Sequence, residues 1–192
     1  MNKGVQLTEV ALKGKQALIY DNCLPLDVFQ KMKKVLLNLG FPWGYCSNIT
    51  PQRSKIKSPI DGYDNDDAYQ FTHHFLPFQG FGWSNWTKLI MPILNVFNAK
   101  AWIRVKANLG TREPKPLVHG WHYDVCDTVP FVDSYTAVLY MNTNNGYTLM
   151  ETGDKVESVE NRLVLFPNDI LHTGIRQTDT RVRVLLNFNF FQ

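Results

Sequence analysis

From residue 101 onward, apolar residues recur at every second position, and this period of two limits the fold more than any other feature of the chain. Ile103, Val105, Ala107 and Leu109 alternate with Arg104, Lys106 and Asn108. Further strands fit 118–124, 135–142, 147–151, 155–159, 162–167, 170–174 and 181–190. Asn144-Asn145-Gly146 lies between two of them and predicts a hairpin turn. Asn161 and Pro167-Asn168-Asp169 mark further turns. About eight short strands predict a double-sheet jelly roll or small barrel with helices on one sheet, a mainly β chain of the α+β kind.

The front half carries a different pattern. Residues 17–21 form a short apolar strand. Asp27 is placed to cap a helix over 28–39, with Val28, Met32, Val35, Leu36 and Leu39 on one face and Gly40 ending it. A second helix fits 85–97, with a kink or break expected at Pro92. Residues 47–70 lack periodicity and divide into a basic end, Arg53 to Lys57, and an acidic end, Asp61 to Asp67. A loop of that length is expected to act as a lid. The expectation is one domain over 1–192, with 1–100 as helical support and lid and 101–192 as the jelly-roll core.

Composition narrows the function. The net charge of +3 is too mild to announce nucleic acid. No apolar run reaches the roughly 18–20 residues of a membrane span, so no membrane partner is expected. Met1 to Gln16 has no signal-peptide core, and the three cysteines lack metal-type spacing. Both features predict a reducing, cytoplasmic location.

One short motif carries chemistry. His122 and Asp124 are two apart, so on a strand both point to one face and can chelate one ion. His172 follows Leu165-Phe166-Pro167 at the rim of another strand. Two histidines and one carboxylate are the facial triad of non-haem Fe(II) oxygenases, which leaves coordination positions open for a 2-oxo acid and O2. Downstream, the alternation from Arg181 to Phe190 turns Val182, Val184, Leu186, Phe188 and Phe190 toward the helices. It turns Arg181, Arg183, Leu185, Asn187 and Asn189 toward the interior. Arginines pointing inward are costly unless an anion meets them, and their guanidinium fork suits a carboxylate.

In these residues the sequence resembles the 2-oxoglutarate/Fe(II)-dependent dioxygenases, and within them the prolyl-hydroxylase-like branch with its small phage and marine bacterial members. The resemblance is specific over about 101–192 and looser over the front. It implies a double-stranded β-helix of the cupin-like kind, Fe(II) as cofactor, and 2-oxoglutarate and O2 as cosubstrates. By resemblance His122, Asp124 and His172 match the iron ligands. Arg181, at the family's usual offset from the distal histidine, matches the residue that binds the far carboxylate of 2-oxoglutarate, with Tyr140 beside it. Two positions depart from the family. Arg183 fills a slot often held by Ser or Thr, where it adds a second cosubstrate contact or pairs with an acid. Asn108 stands where prolyl hydroxylases often carry a tyrosine.

His119 and Asn187 are further candidates to line the cavity and touch substrate. His73-His74 are expected to pack or be exposed, with substrate binding as the alternative, Trp121 and Tyr123 to pack, Cys126 to be a free thiol, and Arg176 to be a surface charge on a loop. The expected activity is hydroxylation of a substrate C–H with decarboxylation of 2-oxoglutarate to succinate. The alternatives are a cupin-like metal oxygenase without 2-oxoglutarate and a noncatalytic jelly-roll binding protein. The pattern leaves the substrate open between a peptide, a nucleotide and a small metabolite, and leaves the oligomeric state open.

Overall fold

The computed structural model describes residues 6–12, 15–47, 69–78, 82–125 and 132–192. The first half contains β1 (Gln6–Leu12), β2 (Lys15–Asp21), α1 (Leu26–Leu36), β3 (Gly44–Cys46), β4 (Gln70–Leu76) and α2 (Thr87–Leu94). The second half contains β5 (Ala101–Thr111), β6 (Ser134–Tyr140), β7 (Tyr147–Met150), β8 (Lys155–Glu157), β9 (Leu163–Pro167), β10 (His172–Ile175) and β11 (Val182–Phe191). An eight-stranded sheet runs β1-β2-β9-β6-β11-β5-β4-β3, and a three-stranded sheet runs β10-β7-β8. The segment 118–122 lies along β10 through two isolated antiparallel bridges, Val118–Ile175 and His122–His172, and so widens the smaller sheet. Two antiparallel sheets face each other, as the period of two predicts.

Three apolar clusters fix the layers. The largest joins α1 and α2 to the outer face of the large sheet through Phe29, Met32, Leu36, Ile90 and Ile93 against Val184, Leu186, Phe188 and Phe190. The second fills one half of the space between the sheets with Val138, Tyr140, Met150, Val156, Val164 and Phe166. The third, Val118, Trp121, Leu149, Leu171 and Ile175, covers the outside of the small sheet. The other half of the interior is lined by polar side chains of β5 and β11, which is where a site can form. The partition predicts the cost of a truncation. Phe188, fully buried against Phe97 at a centroid distance of 5.1 Å, should cost about 3–5 kcal/mol as Phe188→Ala. A lowered denaturant midpoint at unchanged slope would register that loss.

Several sequence expectations need correction. The front half is not mainly helical: among its described residues are four strands and two short helices. β4 hides a period of two in an aromatic stretch. Its Phe75 and His73 pack on Phe41, while Gln70, Thr72 and His74 occupy the alternate positions. α1 begins at Leu26 after Pro25, so Asp27 sits in the first turn and not at the cap. α1 stops at Leu36, and the chain turns before Leu39, which is fully exposed. α2 runs through Pro92 and ends two residues later, at Leu94, short of the expected 97. Of the lid expected over 47–70, residues 48–68 lie outside the described residues, as does Cys126, and Gln70 already belongs to β4.

Asn144-Asn145-Gly146 is not a hairpin. It carries the chain from β6 in the large sheet to β7 in the small one. The Asn144 side chain accepts the Gly146 N–H at 3.0 Å and shapes the crossing. A Cβ on Gly146 would stand 2.8 Å from the Ile175 carbonyl and 2.9 Å from Arg183 Cδ, so this crossing requires glycine.

Candidate metal centre

The backbones of His122 and His172 are paired directly. The His122 N–H donates to the His172 carbonyl at 3.0 Å, and the His172 N–H returns to His122 at 3.2 Å. This sets the two rings side by side, with centroids 4.6 Å apart. Asp124 follows two residues after His122, on the same face. The ligand atoms of the three side chains all lie within 4.8 Å of one another. Asp124 Oδ1 is 3.8 Å from His122 Nε2 and Oδ2 is 3.7 Å from His172 Nε2, too long for hydrogen bonds and wide enough for an ion between them.

Proton placement also fits a metal. His122 Nδ1 lies 2.8 Å from the Gly120 carbonyl, and His172 Nδ1 lies 3.1 Å from the Ile170 carbonyl. A carbonyl only accepts, so each Nδ1 carries the hydrogen and each Nε2 lone pair faces the triad. Burial, aided by His172, pushes His122 down to about 4, so its ring is neutral at pH 7. Burial alone would raise the Asp124 carboxyl. His172, Arg104, His122 and Lys106 outweigh burial and hold it well below the usual carboxylate range. An anionic carboxylate and two imidazoles with their Nε2 atoms toward it, with no fourth protein donor among the described residues, fit a divalent transition metal with open positions.

A polar scaffold on the large sheet holds Asp124. Arg104 Nη2 donates to Asp124 Oδ1 at 3.0 Å, and Asn187 Nδ2 donates to Oδ2 at 2.7 Å. Asn189 is tied in through Arg104 Nε at 3.0 Å and Thr136 Oγ1 at 2.9 Å. Asn187, expected from the sequence to line the cavity, therefore braces Asp124. Arg104, Asn189 and Thr136 were missed as site residues. The available signal was inward polar residues on paired strands that need partners when buried.

The two arginines separate. Arg181 precedes the first ladder pair of β11, Val182–Thr111, and its side chain is exposed, not inward as the alternation predicted. The parity holds, but Arg181 lies past the barrel rim. Arg183 is 6% exposed and enters the interior. Its Nε donates to Ser158 Oγ at 2.8 Å, and its guanidinium stands 5.5 Å from the centre of the Tyr140 ring. Tyr140 is fully buried and gives its hydroxyl proton to Thr148 Oγ1 at 2.8 Å.

His119 lies close to Arg183: a Cβ on Gly174 would stand 3.2 Å from His119 Nδ1 and 3.9 Å from Arg183 Nη1. Burial, with Arg176 and Arg183, drives His119 well below its ordinary value, so it is neutral. Among the described residues, three buried atoms in this interior have no hydrogen-bond partner: Arg183 Nη2, His119 Nε2 and Asn108 Oδ1. Orphaned polar atoms at such density mark a place for a polar ligand.

Arg176, expected at the surface, is 2% exposed. It pairs with Glu113 Oε1 at 2.6 Å and donates to the Tyr69 carbonyl. Gly110 leaves it room, because a Cβ there would stand 3.1 Å from Arg176 Nε. Trp121 packs on the outside of the small sheet as expected, and Tyr123 is 43% exposed.

No protein-family model and no curated protein matches the chain. Solved structures do match in fold. An oxidoreductase of the 2OG-Fe(II) oxygenase family from Burkholderia pseudomallei is similar with a TM-score of 0.61 at 9% identity, over 91% of this chain and 85% of that one. A Trichoplax adhaerens prolyl hydroxylase, solved with a hypoxia-inducible-factor peptide fragment, gives 0.59 at 13% identity, over 91% and 83%. A non-haem α-ketoglutarate-dependent carbocyclase from nogalamycin biosynthesis gives 0.57 at 10%, over 93% and 80%. The chain therefore has the double-stranded β-helix fold of these enzymes. No helix among the described residues is long and apolar enough to cross a membrane.

Proposed function

We propose that the chain is an Fe(II)- and 2-oxoglutarate-dependent dioxygenase that oxidises a substrate C–H bond while 2-oxoglutarate is converted to succinate. The observation that carries this reading is a His-Asp-His triad with both Nε2 lone pairs turned inward, in the same interior as a buried arginine with an unpartnered nitrogen. His122, Asp124 and His172 would hold the iron, which supplies activation of O2 when bound.

The chain's own residues do the rest. Arg183 offers its free Nη2 to the far carboxylate of the cosubstrate, while Ser158 and the Tyr140 ring hold the guanidinium in place. Along β11, Arg183 is four residues from Asn187, the brace of Asp124, or about 13 Å at the rise of a strand. An arginine side chain and a short dicarboxylate together bridge that interval. Arg181, six residues away, is about 20 Å off and points outward, which favours Arg183 for the role that family offset would give Arg181. Asn108 and His119 offer an acceptor and a ring nitrogen to the same ligand. This carboxylate-binding apparatus weighs against both the cupin-like alternative and a noncatalytic jelly roll.

The test is Fe(II)-dependent formation of succinate from 2-oxoglutarate by the purified protein. Absence of both metal binding and succinate would sink the reading. The brace of Asp124 gives a finer expectation: Asn187→Ala or Arg104→Met should weaken metal affinity roughly 10–100-fold, as read by competition with a chelating dye.

A further inference from the structure

The interior contains a second cationic feature that the cosubstrate does not use. Lys106 lies on β5 between Arg104 and Asn108, on the strand face that holds Asp124 in place. It is directly opposite Asn187 on β11 and directly opposite His74 on β4. Asn187 grips Asp124, so Lys106 stands one strand spacing, about 4.8 Å, from the brace of the triad.

Level along the strands separates this feature from the cosubstrate groups: Lys106 is opposite Asn187, whereas Asn108 is opposite Leu185 and Arg183 is opposite Gly110. β6, with Tyr140, flanks β11 on one side, and β5 and β4 flank it on the other. A ligand held by Arg183 and Tyr140 leaves Lys106 and His74 free across the triad. Lys106 Nζ has no hydrogen bond or ion pair among the described residues. The nearby acid among the described residues is Asp124, and both of its oxygens already accept, from Arg104 and Asn187. A half-buried ammonium that faces only a carboxylate already shared by Arg104 and Asn187 is costly, and an arriving anion lowers that cost.

We propose that Lys106, with His74 beside it, seats a carboxylate of the substrate, so that the enzyme acts on small carboxylic acids. Among the described residues the site offers one cation outside any hydrogen bond or ion pair, Lys106, with the exposed imidazole of His74 across from it. One positive charge matches a monoanionic carboxylate better than a dianionic phosphate. Lysine acts here as a point charge that a carboxylate of varied orientation can meet. The seat lies beside the metal ligands, so a C–H near the carboxylate is brought to the reacting centre. The inference rests on the oxygenase reading above.

The experiment uses full-length protein loaded with Mn(II) and N-oxalylglycine, an inert 2-oxo acid, so that the triad and Arg183 are filled. Calorimetric titration compares short-chain and aromatic monocarboxylates with their matching amides, and benzoate with phenyl phosphate. At least one acid should bind saturably, about tenfold or more tighter than its amide. Lys106→Met should lose that preference and Lys106→Arg should retain most of it. Equal binding of acid and amide on the unmodified protein overturns the proposal without any variant. So does tighter binding of phenyl phosphate, or no acid binding while N-oxalylglycine still binds. If Lys106→Met weakens N-oxalylglycine as much as the acid, the amine belongs to the cosubstrate and the proposal falls. Failure of Mn(II) and N-oxalylglycine to bind at all overturns the oxygenase reading itself.

Discussion

Replacing His122, Asp124 or His172 singly with Ala should reduce succinate formation from 2-oxoglutarate by about a thousandfold or more and remove stoichiometric metal from a dialysed sample. The size follows from the geometry. Three donors within 4.8 Å of one another have no spare among the described residues, so loss of one leaves a two-point site. The fold should survive. His122 and His172 pair through their backbones, which Ala preserves, and their rings face the polar interior and not the large apolar cluster. Asp124→Ala carries an additional expectation. It frees Arg104 and Asn187 of their acceptor and leaves a buried guanidinium less neutralised, so its unfolding midpoint should fall further than that of either histidine variant. A variant that kept its metal and near-normal succinate production would remove that residue from the ligand set.

Arg183→Ala should raise the apparent 2-oxoglutarate KM roughly 30–1000-fold, on the order of 2–4 kcal/mol, because a charge-assisted pair at a desolvated site is lost. Arg183→Lys should recover only part of this, since an ammonium keeps the charge without the fork. Arg181→Ala, at an exposed position ahead of β11, should change the same KM by less than about threefold. The pair of variants decides between depth in the barrel and sequence offset from His172. If Arg181→Ala raises the KM more than Arg183→Ala does, the cosubstrate lies nearer the rim than proposed. Ser158→Ala, which removes the acceptor of Arg183 Nε at 2.8 Å, should give a smaller effect of the same sign.

The period of two and the spacing of a few chelating residues were legible in the chain by itself, because both are local. Alternation from Val182 to Phe190 assigned the apolar face that packs on the helices, and the polar face carrying Arg183, Asn187 and Asn189. His122 and Asp124 share a face for the same reason. Beyond that range the sequence carries parity without depth. Arg181 and Arg183 have equal parity, and only the pairing of β11 with β5 and β6 settles that one lies outside the rim and the other inside. Asn144-Asn145-Gly146 carries the composition of a hairpin, yet its flanking strands find partners in different sheets, since non-local pairing outweighs turn preference. β3 and β4 went unread because three residues are too few to show a period and because histidine and threonine blur it in Gln70–Leu76. The brace of Asp124 by Arg104 and Asn187, and the placement of Lys106 beside it, exist only where β5 and β11 lie side by side. Residues some eighty positions apart in the chain become neighbours there, and their charges, not their spacing, determine what the interior can hold.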